Sequence, residues 1–254
     1  MMTMNFSPAF RYQFKEYLKS SSVFYAVNVC IVVVSFLVCF LTDSGSMSYS
    51  GYGIACAICL FVFGIVVPRQ YLRLCLQLGV SRRTAFLSGL AAALANSALL
   101  AAAGELLFGI AGWASLTNEH LYFADLYQIA YLDPGHLLTL TAGQHLISLL
   151  FNLFLMFCWF SIGLFLTFLF WRLNKAWTIV VAILIPVLLG VLPTWSVHLS
   201  LAFSAFARAM AALGGWLSAS PWNVMLLCIL ISAFFCSVGW LLVRRVNIRA
   251  PSSH

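Results

Sequence analysis

Charged residues are scarce in this sequence. Only 7% of its 254 residues are Asp, Glu, Lys or Arg, and only 6 are acidic, whereas about a quarter of a soluble domain is charged. A chain this poor in charge cannot cover a globular surface with polar groups, which excludes a soluble protein. Because 63% of the residues are hydrophobic and lipid leaves no partner for exposed backbone groups, we expect an all-α polytopic membrane protein. It should form a single transmembrane domain over residues 1–254.

Nucleotide-binding and catalytic motifs are absent as well. The phosphate-binding pattern GxxxxGK[ST] does not occur, since none of the lysines Lys15, Lys19 and Lys175 follows a glycine-rich loop of that kind. The zinc-protease pattern HExxH and the nucleophile-elbow pattern GxSxG are also missing. We therefore expect this chain to be no enzyme, with no catalytic residue, no metal site and no cofactor of its own.

Six apolar runs are long enough to cross a bilayer. They cover residues 23–41, 52–68, 86–112, 146–170, 178–194 and 222–243. If both termini face the cytoplasm, all but one of the 13 basic residues fall on the cytoplasmic side, and only Arg208 falls outside. Positive residues collect in cytoplasmic loops in this way, so the net charge of +7 needs no nucleic-acid partner. The sequence predicts a multi-pass protein of the bacterial cytoplasmic (inner) membrane.

Two segments outside these runs carry helical patterns of their own. Residues 1–22 place aromatic side chains on one face beside basic residues four apart, which predicts an amphipathic helix lying in the cytoplasmic interface against lipid. Residues 195–221 keep helical spacing as far as Gly214–Gly215 and contain Arg208. A charge at mid-membrane is costly, so we expect a re-entrant or surface helical hairpin on the outer side. Residues 113–143 are predicted to form an outer loop.

The segment 69–83, between the second and third runs, holds four arginines. We expect Pro68 to end the second span and a short surface helix to follow. Gly79 suits the left-handed residue that ends a helix, and Ser81 suits the cap of the next one. The polar face and the turn together comprise Arg69, Gln70, Arg73, Gln77, Gly79, Ser81, Arg82 and Arg83. Topology alone would need fewer arginines, and this ordered face therefore favours a docking surface for another protein.

The same segment resembles a known family. The stretch LGVSRRTAF is similar to the pattern (N/L)G(V/M)(S/T)R, followed by an aromatic residue, that ends the coupling helix of ABC transporter permeases of the ABC-2 type. Residues 1–22 would then be the elbow helix, and 195–221 the outer helical hairpin before the last span. The matching residues are Leu78, Gly79, Val80, Ser81, Arg82 and Phe86.

That resemblance implies the transmembrane permease subunit of an ATP-driven exporter. Such a subunit pairs with a second permease, identical or homologous, and with ATPase subunits that bind ATP and Mg on separate chains. The low charge within the spans favours an amphipathic substrate such as a peptide, lipid or drug. The alternative is an ATPase-independent membrane carrier or a membrane assembly factor.

Glu105 is the one acidic residue inside a predicted span. It continues a stripe of small residues spaced four apart on the third span, at which another helix should pack. Intramembrane carboxylates are candidates for function, and a structural, hydrogen-bonded role is an equal alternative here. The stripe consists of Gly89, Ala93, Ser97 and Ala101.

The loop residues His120, Asp125, Asp133, His136 and His145 lack metal-site spacing, and we expect them to be solvated.

Overall fold

The computed structural model describes residues 6–42, 47–115, 121–132, 140–172 and 204–244. Within them the chain forms seven helices and two three-residue strands. The helices are α1 (Phe6–Thr42), α2 (Tyr52–Gln77), α3 (Arg82–Ser115), α4 (Leu126–Tyr131), α5 (Ala142–Arg172), α6 (Ser204–Ala219) and α7 (Pro221–Arg244), and the strands are β1 (Met47–Tyr49) and β2 (Leu121–Phe123).

Five of these helices are long and apolar enough to cross a membrane. They are α1, α2, α3, α5 and α7. The protein is therefore a multi-pass, essentially all-α membrane protein, as the composition predicted. The sixth run, 178–194, lies outside the described residues, so the prediction of a sixth span stays a prediction.

The helices pack as a bundle in which the basic residues gather at one end. The contacts Tyr71–Ala9 and Arg82–Arg244 join the start of α1 to the end of α2, and the start of α3 to the end of α7. We call this the basic end. The opposite end contains β1 and β2, which pair in parallel with Met47 beside Leu121, together with α4 and the start of α5.

Helices α5 and α7 run in the same direction. Phe151 and Met225 share one apolar cluster near the opposite end, whereas Gly239 packs against Leu164 and Phe168 toward the basic end. Arg172 and Pro221 consequently lie at opposite ends of the described bundle.

The predicted elbow helix over residues 1–22 does not form a separate element in the described part of the chain. Residues 6–42 are one continuous helix, and polar anchors hold its first half against the bundle. Gln13 is buried and donates to the Ser88 hydroxyl (3.2 Å), and the Ser21 hydroxyl donates to Asn96 (3.0 Å). Because these polar groups face α3, the first half continues the line of the span.

The prediction that Pro68 ends the second span is wrong, because α2 continues through it to Gln77. Proline has no N–H for the carbonyl four residues earlier, which here belongs to Gly64. The Thr167 hydroxyl of α5 lies 3.1 Å from that carbonyl oxygen and 2.8 Å from the Ile65 carbonyl oxygen. Thr167 has a single hydrogen to donate, and the Gly163 carbonyl oxygen of its own helix also lies at 3.1 Å. The hydroxyl thus compensates in part for the missing hydrogen bond, as is common at prolines in membrane helices.

This compensation can be tested with a double-mutant cycle. Thr167→Val should lower the free energy of unfolding by about 1 kcal/mol, since it removes a donor from buried carbonyls. In a Pro68→Ala background the restored N–H serves the Gly64 carbonyl, and the same substitution should cost measurably less. Unfolding in SDS mixed micelles, followed by circular dichroism, measures both costs. Equal costs in the two backgrounds would contradict the assignment.

The small-residue stripe on α3 faces protein, as predicted. Ala93, Ser97 and Ala101 are all buried. Asn96 and Asn152, both inside predicted spans, are buried as well and make hydrogen bonds to other elements. The bundle thus uses small side chains for close approach and a few polar ones for cross-links, which is the usual chemistry of membrane helix packing.

Candidate functional site

The turn between α2 and α3 has the predicted local geometry. Gly79 has a φ of 76°, in the region that glycine adopts at no steric cost. Two backbone hydrogen bonds close the turn, from the Gly79 and Val80 N–H groups to carbonyls of the last turn of α2. The Ser81 hydroxyl accepts from the Thr84 N–H at 3.1 Å and so caps α3. The prediction of a helix end at Gly79 and a cap at Ser81 is confirmed.

The predicted polar face is exposed at the basic end. Arg69, Gln70, Arg73 and Gln77 are solvent-accessible, whereas Leu72 and Cys75 of the same helix are buried. The guanidinium carbons of Arg69 and Arg73 lie 5.9 and 5.6 Å from the centre of the Trp171 ring on α5, a separation at which cations and aromatic rings attract. Trp171 therefore positions two arginines along the last turns of α2 and leaves them accessible.

Arg82 and Arg83 have different roles. The Arg82 guanidinium donates to the carbonyl oxygen of Arg244 at 3.0 Å, which satisfies a terminal carbonyl of α7. Arg83 is more exposed than Arg82. Arg82 therefore stabilises the packing of α3 against α7, and its substitution would disturb the fold as well as any docking. Substitution of Arg83 tests the predicted docking without removing that contact.

The basic end has almost no compensating negative charge in the described residues. The exposed Glu16 of α1 is its single described carboxylate, and in the described ranges no salt bridge joins it to a lysine or arginine. Against it stand exposed basic residues from five helices. These residues are Arg11, Lys15, Arg69, Arg73, Arg83, Arg172 and Arg244. This surface is suited to an acidic partner surface or to anionic lipid headgroups.

Glu105 belongs to a second polar site at the opposite end of the bundle. Its side chain is 15% exposed and faces the start of α5. One carboxylate oxygen lies 3.1 Å from Nδ1 of His145, and the other is in short contact with the Ser148 hydroxyl. The His145 side chain is 43% exposed, so it connects the carboxylate to the surface of the bundle. Glu105 faces protein and not lipid, as the small-residue stripe predicted.

Asp125 extends this site into the protein interior. It lies just before α4 and is only 3% exposed. Its Oδ2 is 3.0 Å from the Ser148 hydroxyl and accepts from the Asn152 amide. Gly53 of α2 comes close on the other side, where a Cβ would lie 3.6 Å from Asp125 Oδ1. The result is a chain of polar groups, His145–Glu105–Ser148–Asp125–Asn152, which we call the carboxylate relay.

The prediction that the outer-loop acids and histidines are solvated is wrong for Asp125. Its backbone N–H donates to the Gln128 side chain at 2.8 Å, and α4 folds it against α5. The sequence signal was available, since Asp followed three residues later by Gln is a capping-box pattern. His145 keeps a side chain that is 43% exposed and also lies 3.1 Å from the Glu105 carboxylate, so it is only partly solvated. His120, Asp133 and His136 lie outside the described residues.

Comparison with known proteins identifies no relative. No protein-family model matches the sequence, no curated protein matches it, and no solved structure matches the fold.

Proposed function

We propose that this protein is the permease subunit of an ATP-driven ABC exporter of the ABC-2 type, in a bacterial cytoplasmic membrane with both termini inside. The observation that carries the proposal is the capped α2–α3 turn within an accessible polar and basic face, in the segment that resembles the family's coupling motif. Separate ATPase chains would dock there and supply ATP and Mg. A second permease subunit would complete the pathway for an amphipathic substrate.

The continuity of α2 changes the way in which a docked ATPase would act on the spans. Because α2 is continuous through Pro68, a push on the turn would travel along α2 as a rigid element. Thr167 and the glycine contact between α2 and α5 would pass it to α5. The coupling unit is therefore a helical hairpin that extends from the span, in place of the flat surface helix over residues 69–78 that the sequence suggested.

Purification from native membranes tests the proposal. The tagged protein should copurify with an ATPase that contains a phosphate-binding loop. Arg83→Glu should weaken that association by about tenfold, because reversing a charge at an interface removes an attraction and adds a repulsion. The measurement is the ratio of ATPase to permease after purification.

Arg11→Glu is the matched control. Arg11 is also an exposed arginine at the basic end, but it lies on α1 outside the 69–83 segment, so the ratio should be retained. Equal loss in both variants would mean nonspecific electrostatics and would overturn docking at the turn. Absence of any ATPase from the wild-type preparation would favour the alternative, an ATPase-independent carrier or assembly factor.

A further inference from the structure

The carboxylate relay has too few hydrogen atoms for its hydrogen-bond contacts if both acids are ionised. The Ser148 hydroxyl is in hydrogen-bond contact with Oε1 of Glu105 and with Oδ2 of Asp125. A serine hydroxyl has a single hydrogen to donate, and two ionised carboxylates have none. One of the two contacts would then place bare oxygens against each other in a largely buried site.

The neighbouring amide cannot supply the missing hydrogen. The Asn152 amide nitrogen has two hydrogens, which it uses on Asp125 Oδ2 and on the Ser148 carbonyl oxygen, the latter at 3.1 Å. The Oδ1 atoms of Asp125 and Asn152 are both buried without a hydrogen-bond partner in the described residues. The interior end of the relay therefore holds more acceptors than donors.

One added proton supplies a hydrogen for both contacts of the Ser148 hydroxyl. If Glu105 carries it, its O–H donates to the Ser148 oxygen, and the Ser148 hydroxyl donates to Asp125. If Asp125 carries it, both hydrogen bonds reverse. In the interconversion the Glu105 O–H bond breaks as a new O–H bond forms on Ser148, and the original Ser148 O–H bond breaks as an O–H bond forms on Asp125. One proton therefore leaves Glu105, one arrives at Asp125, and the total charge of the relay is unchanged.

We propose that Glu105 and Asp125 bind one shared proton through the hydroxyl of Ser148, and that His145 is its entry point from the aqueous side. The site is independent of the docking surface at the basic end and holds whether or not an ATPase docks there. Its ligand is a proton rather than a metal ion, because the described residues contain no cluster of three or more His, Cys, Asp or Glu side chains suited to a metal.

The other groups around the relay leave this charge balance unchanged. From α2 come Tyr52, whose hydroxyl donates to the Leu100 carbonyl at 2.8 Å, and the thiol of Cys56. From α3 and α5 come Glu105 and His145 themselves. Within the described ranges no lysine or arginine forms a salt bridge with either acid. His145, 3.1 Å from Glu105, is a cation only when its imidazole itself carries an added proton, so a proton is the available means of neutralising one of the two adjacent carboxylates.

Infrared spectroscopy of the full-length protein in lipid nanodiscs tests the proposal. At pH 7, where exposed carboxyls with ordinary values near 4 are ionised, the wild type should show the C=O stretch of a protonated carboxylic acid, shifted in D2O. Glu105→Gln and Asp125→Asn should each abolish the band, because the remaining acid no longer shares its proton. Glu16→Gln, at an exposed carboxylate of the basic end, should leave it unchanged.

If a relay variant fails to fold, isotope labelling of the wild-type protein tests for the same shared proton. Selective ¹³C labelling of glutamate or of aspartate carboxyls should shift the band, since the proton is shared between one residue of each type. A wild type with no acid band at pH 7 would overturn the proposal. So would a band that survives in both relay variants, or a site that is stabilised by Na⁺ and shows no acid band.

Discussion

Replacement of Gly64 by alanine is expected to lower the free energy of unfolding by about 1–3 kcal/mol, the range for overpacking a close-packed interior. A Cβ at Gly64 would lie 2.9 Å from the backbone nitrogen of Leu164 and 3.2 Å from the carbonyl carbon of Gly163, both in α5. Backbone atoms cannot rotate away as a side chain can, so α2 and α5 must separate. Their separation would also remove the Thr167 hydroxyl from the carbonyls it serves.

Gly109 on α3 provides the matched control for this substitution. It is a helical glycine in a candidate span, and a Cβ there would meet nothing within 4 Å. Gly109→Ala should therefore leave stability unchanged or raise it slightly, because alanine favours helix. SDS-induced unfolding followed by circular dichroism compares the two variants. A Gly64→Ala protein as stable as the wild type would show that α2 and α5 do not touch at this point.

Removal of the Asn152 amide is the second substitution with a large expected effect. Asn152→Leu should lower the free energy of unfolding by about 1.5–3 kcal/mol, the range for a hydrogen bond to a charged group. Asn152 is 4% exposed and donates to the buried Asp125. Leucine would leave that carboxylate in an apolar site with one donor fewer.

A second background separates this electrostatic loss from simple packing. In an Asp125→Asn protein the acceptor has no charge, and the further cost of Asn152→Leu should fall to about 1 kcal/mol, as for a neutral hydrogen bond. The difference between the two costs is the coupling energy of the pair. Identical costs in both backgrounds would mean that Asn152 contributes through its volume alone.

The membrane class and much of the bundle could be predicted from single residues and their spacing. Each of the five described spanning helices contains a predicted run, because lipid requires a minimum length and an apolar composition of every span. The turn at Gly79 and the cap at Ser81 were equally predictable, since backbone conformation and a side chain three residues away decide them. These are local properties, and the sequence contains them.

The tertiary structure decided where helices continue and which polar groups meet. Pro68 breaks a helix by local rules, yet α2 continues, and a hydroxyl on α5, distant in sequence, lies 3.1 Å from the Gly64 carbonyl oxygen that lost its donor. The first half of α1 stays in line with its span because Gln13 and Ser21 find partners on α3. Asp125, assigned to a solvated loop, becomes the interior end of the carboxylate relay through contacts with α5.

Composition, membrane-spanning runs and turn chemistry were thus determined by the sequence alone, since each depends on neighbouring residues and on the solvent. The accessible polar face of 69–83 was predicted from its spacing, but the contact of Arg82 with the end of α7 was not, because it depends on an element distant in sequence. The carboxylate relay could not be predicted at all beyond Glu105. Its members come from separate elements, and only the packing of α3, α4 and α5 brings two acids to one hydroxyl, where the count of hydrogens calls for a proton.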